Sequence, residues 1–375
     1  MGKLPEIQYS ERVAAKPRWT ARKVKRVSKP YFSVVRQTTA GHAKGARQNA
    51  IEEAEMQTAR KHFMDLRRSP RRLLTGLLAT FGAFPLTGSL SAQTATPVDL
   101  AHFAYDRGAP LNVKLIAEKD RDGVTVQDIT YVGSQGDTVP AYLVIPEGSG
   151  KFAAVIWGHW LMPGAANSNR TEFLNEAIAL APTGVVSLLI DAPEKRPGFK
   201  PTDDPAVVAQ QVIDLRRGLD LLLSRSGVDA ARIAYVGHSW DAGAGAILDA
   251  ADKRLAAFVF MSGPQSQAKR VLSSPQMAEL RKANDKAQVM EVEESLKAEA
   301  WTDPGSYASM LGPAPALFQY GQHDEKWVPL TLAKDYVAIA SGPKTAEFYD
   351  ADHALNDKAR TDRDNFLRKT LKLAR

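Results

Sequence analysis

The sequence predicts an α/β protein, a mostly parallel sheet of eight strands with helices on both faces. Two observations lead there. From Ala153 onward, short apolar runs alternate with longer segments of helical periodicity, the pattern of parallel strands joined by crossover helices. Ahead of that alternation, two β-rich runs joined by Gly133 and Gly136 read as a hairpin, which adds antiparallel strands at one edge.

The elements follow in order. The hairpin runs are Val124 to Val132 and Val139 to Ile145. Ala153–Trp157 is a short apolar strand, 170–181 a helix, and Val185–Ile190 a strand. The helix over 205–224 is well marked, because Asp203 and Asp204 precede Pro205 as a start signal. Its apolar residues Val208, Val212, Leu215, Leu219 and Leu222 recur at spacings of 4, 3, 4 and 3, which gives it one apolar face. Ile233–Val236 is a strand, 240–251 a helix and Ala256–Met261 a strand. A polar, helix-rich insertion over about 275–311, with Met277, Met290, Trp301 and Met310, then breaks the rhythm. It forms either a lid over a pocket or an extra packing layer. The alternation resumes with Leu317–Tyr320, a helix over 330–340, Thr345–Tyr349 and a final helix over 356–373.

Composition narrows the chemistry. The chain has 375 residues, 44% of them apolar, enough for a sizeable core, and no cysteine. Disulfides, thiolate metal sites and a cysteine nucleophile are therefore excluded. The formal charge of +7 is unevenly spread: residues 1–92 hold 18 basic and 6 acidic side chains, leaving 31 basic against 36 acidic in 93–375. A mildly acidic body argues against a nucleic-acid partner, since that affinity needs clustered Lys and Arg that release counterions.

The basic leader divides in two. From Met64, four arginines precede an apolar stretch from Leu73 to Leu86 and then small residues around Ser89, Ser91 and Ala92, the layout of a secretory signal peptide over 64–92. The apolar stretch, about 14 residues interrupted by Gly76, Gly82 and Pro85, falls short of the ~20 that span a membrane, so cleavage and export without stable membrane insertion are expected. Residues 1–63 read as a disordered or mis-assigned upstream segment, with a basic arm as the alternative. The globular domain is expected over 93–375.

The chemistry centres on Gly237-His238-Ser239-Trp240-Asp241-Ala242-Gly243, where a buried strand turns into a helix. A serine there is exposed on a tight turn, with the helix's first N–H groups beside it. Serine is a poor nucleophile unless a histidine takes its proton and a carboxylate orients that histidine. Two histidines follow at a distance, His323 and His353. His353 lies in Asp350-Ala351-Asp352-His353-Ala354 after the last strand, and Asp324 in Gly321-Gln322-His323-Asp324-Glu325-Lys326-Trp327-Val328-Pro329 after the one before. Each emerges at the carboxyl end of a parallel strand, the edge where open α/β sheets place their sites.

These motifs resemble the α/β-hydrolase superfamily over nearly all of 120–375, and in particular esterases of the dienelactone-hydrolase and acetyl-xylan-esterase branches. The resemblance implies an α/β-hydrolase fold with Ser239 as nucleophile, Asp324 as acid and His353 as base, acting on a small-molecule carboxylic ester without a cofactor. It also implies oxyanion donors at the backbone N–H of Trp240 and of Trp160, the latter in Gly158-His159-Trp160. Dienelactone hydrolases themselves use cysteine, so that activity is removed. One departure stands out: Asp241 occupies the place of the second elbow glycine. A carboxylate there either faces the site and opposes the oxyanion or faces solvent and is nearly silent. Two alternatives stay open, a prolyl-oligopeptidase-like peptidase and, because of Asp241, a noncatalytic binding protein on the same fold.

Further candidates flank the site. His159, Trp157 and Trp327 are expected to line the substrate pocket, with ordinary core the alternative for either tryptophan and a second base the alternative for His159. Asp191, ending its strand, is a reserve acid. The clusters His323-Asp324-Glu325 and Asp350-Ala351-Asp352-His353 have metal-ligand residue types, but the triad reading already accounts for them and no metal is expected.

Overall fold

The structure, a computed structural model, describes residues 98–200 and 205–374. The predicted signal segment and the stretch before it lie outside the described residues. Nine strands form one sheet: β1 (Lys114–Arg121), β2 (Val124–Val132), β3 (Thr138–Ile145), β4 (Phe152–Gly158), β5 (Val185–Ile190), β6 (Val228–His238), β7 (Ala257–Met261), β8 (Ala316–Gly321) and β9 (Lys344–Tyr349). Their order is β1-β2-β3-β5-β4-β6-β7-β8-β9. β1, β2 and β3 are antiparallel, β3 meets β5 antiparallel, and every pairing from β5 to β9 is parallel. The eight predicted strands are present, and β1 is an addition. All eight of its residues are exposed, so it shows no apolar alternation; it is an edge strand held by pairing with β2 alone.

The helices are α1 (Leu174–Leu180), α2 (Ala206–Ser224), α3 (Trp240–Ala251), α4 (Gln267–Leu272), α5 (Pro275–Lys282), α6 (Lys286–Ala298), α7 (Leu330–Ile339) and α8 (Asp357–Leu371). Two apolar clusters lie on opposite faces of the sheet, and strand parity assigns residues to them. Ala154 and Ile156 of β4 and Ile233 and Tyr235 of β6 pack with α2, α3 and α7. Ala153, Val155 and Trp157, with Ala234 and Val236, pack with α1 and α8. The stripe read on α2 faces the first cluster, where Val212, Leu215, Leu219 and Leu222 are fully buried. The insertion begins earlier than predicted, at α4, and continues through α5, α6 and two 3₁₀ turns to Met310. Among the described residues no helix is long and apolar enough to cross a membrane.

Candidate active site

Ser239 stands between β6 and α3 with φ 56° and ψ −111°, left-handed backbone that costs a non-glycine residue about 1–3 kcal/mol. The neighbouring strand β7 and the first turn of α3 hold it there. Its N–H donates to the Met261 carbonyl at 2.7 Å, and its carbonyl accepts from Gly243 at 3.2 Å. At Gly237 a Cβ would come within 2.5 Å of the Asp241 carbonyl oxygen, so this position requires glycine for the close approach of strand and helix.

The loops after β8 and β9 bring their side chains to the same point. His353 Nε2 lies 2.7 Å from Ser239 Oγ, and Nδ1 lies 2.5 Å from Asp324 Oδ2. Asp324 accepts the Trp327 N–H at 3.1 Å through its other oxygen. The His353 main chain is held as well, its carbonyl accepting from Ser262 Oγ at 2.6 Å and His238 Nε2 at 3.0 Å. Asp324 and His353 are buried, at 4% and 6% exposure, so solvent screens their pairing little.

Ser239 and His353 open onto a cavity of about 390 Å³. Its walls include Leu161, Trp240, Pro264, Trp327 and Val328, while Gln267, Leu296 and Asp303 come from the insertion. The insertion therefore walls the cavity. Asp303 joins its two ends by accepting from Ser266 Oγ and the N–H groups of Gln267, Ala268 and Gly305 at 2.8–3.0 Å.

Neither the family models nor the curated proteins compared with the sequence match it. Among solved structures, acetyl xylan esterase from Paenibacillus sp. R4 superposes with a TM-score of 0.56 at 21% identity, over 70% of this chain and 90% of that one. Acetyl Xylan Esterase 1 from Thermoanaerobacterium sp. JW/SL YS485 gives 0.57 at 17% identity, over 72% and 91%. The chain has the α/β-hydrolase fold.

Within this α/β-hydrolase frame several sequence expectations need correction. Trp160 does not offer its N–H to the cavity, because that N–H donates to Glu172 Oε2 at 2.7 Å; the residue of its loop that lines the cavity is Leu161. Trp157 does not line this cavity. Strand parity turns it to the α1/α8 face, where its ring stacks on Phe173 at 5.1 Å. His159 is also buried away from the cavity, with Nδ1–H donating to the Trp160 carbonyl at 2.7 Å and Nε2 accepting the Ala192 N–H at 2.9 Å. Burial lowers its pKa, and with both nitrogens occupied it is a structural, neutral imidazole. Asp191 accepts the Arg170 N–H at 2.8 Å and pairs with its guanidinium, so it is spent on the loop after β4. Trp327 does line the cavity, its ring 6.0 Å from that of His353. No group of three His, Asp or Glu residues that could hold a metal ion occurs among the described residues.

Asp241 faces neither the cavity nor solvent. Its side chain is fully buried beneath the elbow, where Oδ1 accepts from Gln211 Nε2 at 2.7 Å and Oδ2 has no partner. Burial raises its pKa well above the usual carboxylate range, reinforced by nearby Glu194 and Glu172 against the lowering effect of Gln211. The space comes from Gly158, where a Cβ would stand 2.6 Å from Asp241 Cγ and 2.6 Å from Tyr235 Oη. The elbow glycine has thus been exchanged for a glycine on the neighbouring strand, and the motive for a noncatalytic reading, a carboxylate aimed at the oxyanion, is absent from the geometry.

Proposed function

We propose that the protein is an exported serine hydrolase that cleaves carboxylic esters. The observation that carries this reading is the chain of contacts from Asp324 through His353 to Ser239, opening on a cavity at the carboxyl edge of the sheet. Ser239 Oγ attacks the ester carbonyl while His353 Nε2 accepts its proton, and Asp324 holds the imidazole in the tautomer that leaves Nε2 free to do so. His353 then returns the proton to the departing alcohol, and water, activated at the same nitrogen, releases the acid from the acyl-enzyme. The oxyanion donors are assigned to the backbone N–H of Trp240 at the start of α3 and of Leu161, which takes the place first given to Trp160. Export rests on the arginine-led apolar segment over 64–92.

A fluorophosphonate probe tests the nucleophile, and a panel of short-chain, aromatic and sugar-acetate esters with a proline-containing peptide tests the bond. Labelling at Ser239 with turnover of an ester supports the proposal. Labelling with cleavage of the peptide alone would select the peptidase reading, and absence of both would remove the enzyme. Ser239→Ala and His353→Ala are each expected to lower ester turnover by several orders of magnitude, the double variant little further, because the group acts as a unit.

A further inference from the structure

We propose that Glu172 is a positioning residue for this reaction, fixing the catalytic histidine's main chain through His238 while also tying down the loop after β4. The proposal rests on the serine-hydrolase reading above. Glu172 Oε1 lies 2.5 Å from His238 Nδ1, and Oε2 accepts the Trp160 N–H at 2.7 Å. His238 Nε2 is 3.0 Å from the His353 carbonyl. A carbonyl only accepts, so Nε2 carries a hydrogen, and the bond at Nδ1 is made by one proton shared with the Glu172 carboxyl. The two side chains are 8% and 2% exposed. The His238 ring stacks against Trp160 at 4.9 Å and His353 at 5.4 Å, and those two rings lie 6.4 Å from each other.

One carboxylate therefore joins three loops: the one after β4, the elbow after β6 and the histidine loop after β9. The Nε2–Oγ distance that proton transfer needs depends on where the His353 backbone sits. A shift of about 1 Å in such a contact costs on the order of 10²-fold in rate. Glutamine at 172 keeps both bonds, its oxygen accepting from Trp160 and its amide donating to Nδ1 of a neutral His238. Alanine leaves the Trp160 N–H and one nitrogen of His238 unpaired in a buried site.

The test uses the full chain with a short-chain aryl ester and proton NMR. Glu172→Ala is expected to lower kcat about 10²-fold with KM changed by less than about threefold, and Glu172→Gln to stay within about fivefold of the parent. His238→Phe, which keeps the stacked volume and removes the donor, is expected to match Glu172→Ala, and it decides the matter if the alanine variant does not fold. The two imidazole–carboxylate bonds should each give a far-downfield proton resonance. Asp324→Asn should remove that of His353, and Glu172→Ala should remove that of His238 and move the other. The proposal is overturned if folded Glu172→Ala or His238→Phe keeps the parent's kcat, or if Glu172→Gln is as slow as Glu172→Ala. A parent that neither labels nor turns over esters defeats the functional reading instead, and a His353 resonance unmoved by Glu172→Ala then defeats this one.

Discussion

Asp241 shows at the scale of one residue how burial, rather than sequence position, decides what a charge does. Because its carboxyl is held well above the usual range, the folded protein keeps a proton there that the unfolded chain releases near pH ~4. Its contribution to stability is therefore most favourable below that pH and is lost progressively as pH rises. Asp241→Asn is expected to flatten this decline, which denaturant midpoints at about pH 5 and about pH 8 would measure; equal slopes for parent and variant would count against a buried proton. Gly158→Ala is expected to cost about 1–3 kcal/mol through crowding, less in a chain carrying Asp241→Gly and Tyr235→Phe, which remove the groups its Cβ would meet. Thermal unfolding of the single and combined variants measures that coupling. Glu172 carried no signal in the sequence beyond sitting in a helical stretch, since only folding brings it to His238.

At the scale of elements, the insertion behaves as a wall pinned at both ends by one side chain. Asp303→Ala removes an acceptor from three backbone N–H groups and a hydroxyl, a loss expected to cost about 2–4 kcal/mol. Because the freed segment carries Gln267 and Leu296 on the cavity wall, KM should rise several-fold while kcat, which the proposed mechanism assigns to Ser239 and His353 outside that segment, should change less. A fall in kcat at constant KM would instead place Asp303 in the chemistry. The start of the insertion was not legible because α4 has six residues, none of them buried, and so no periodic face. The misplacement of Trp157 was avoidable. Ala153, Val155 and Trp157 share one parity on β4, and that parity faces α1 and α8.

At the scale of the whole molecule, the sheet, its parallel core and the three loops that converge on Ser239 were readable because each rests on local pattern: apolar runs, helix-start signals and residue types at strand ends. What escaped was set by neighbours distant in sequence, such as the Glu172 carboxylate that occupies the Trp160 N–H and the glycine that makes room for Asp241. β1 escaped for the opposite reason, having no burial to imprint a pattern. Leu115 and Ile116 on that edge are 57% and 61% exposed, so Leu115→Lys and Ile116→Lys are expected to change stability by less than about 0.5 kcal/mol. Thermal unfolding and sedimentation of the double variant check this, and a large drop in either stability or mass would reveal a partner on that edge.

The fit of Asp241 against Gly158 also limits how this chain can drift. A side chain at 158 meets Asp241 and the Tyr235 hydroxyl at once, so no single substitution elsewhere opens that position. Related chains that keep tyrosine at 235 and a side chain at 241 should accordingly keep glycine at 158, and a larger residue there should appear only where both of those groups have been reduced.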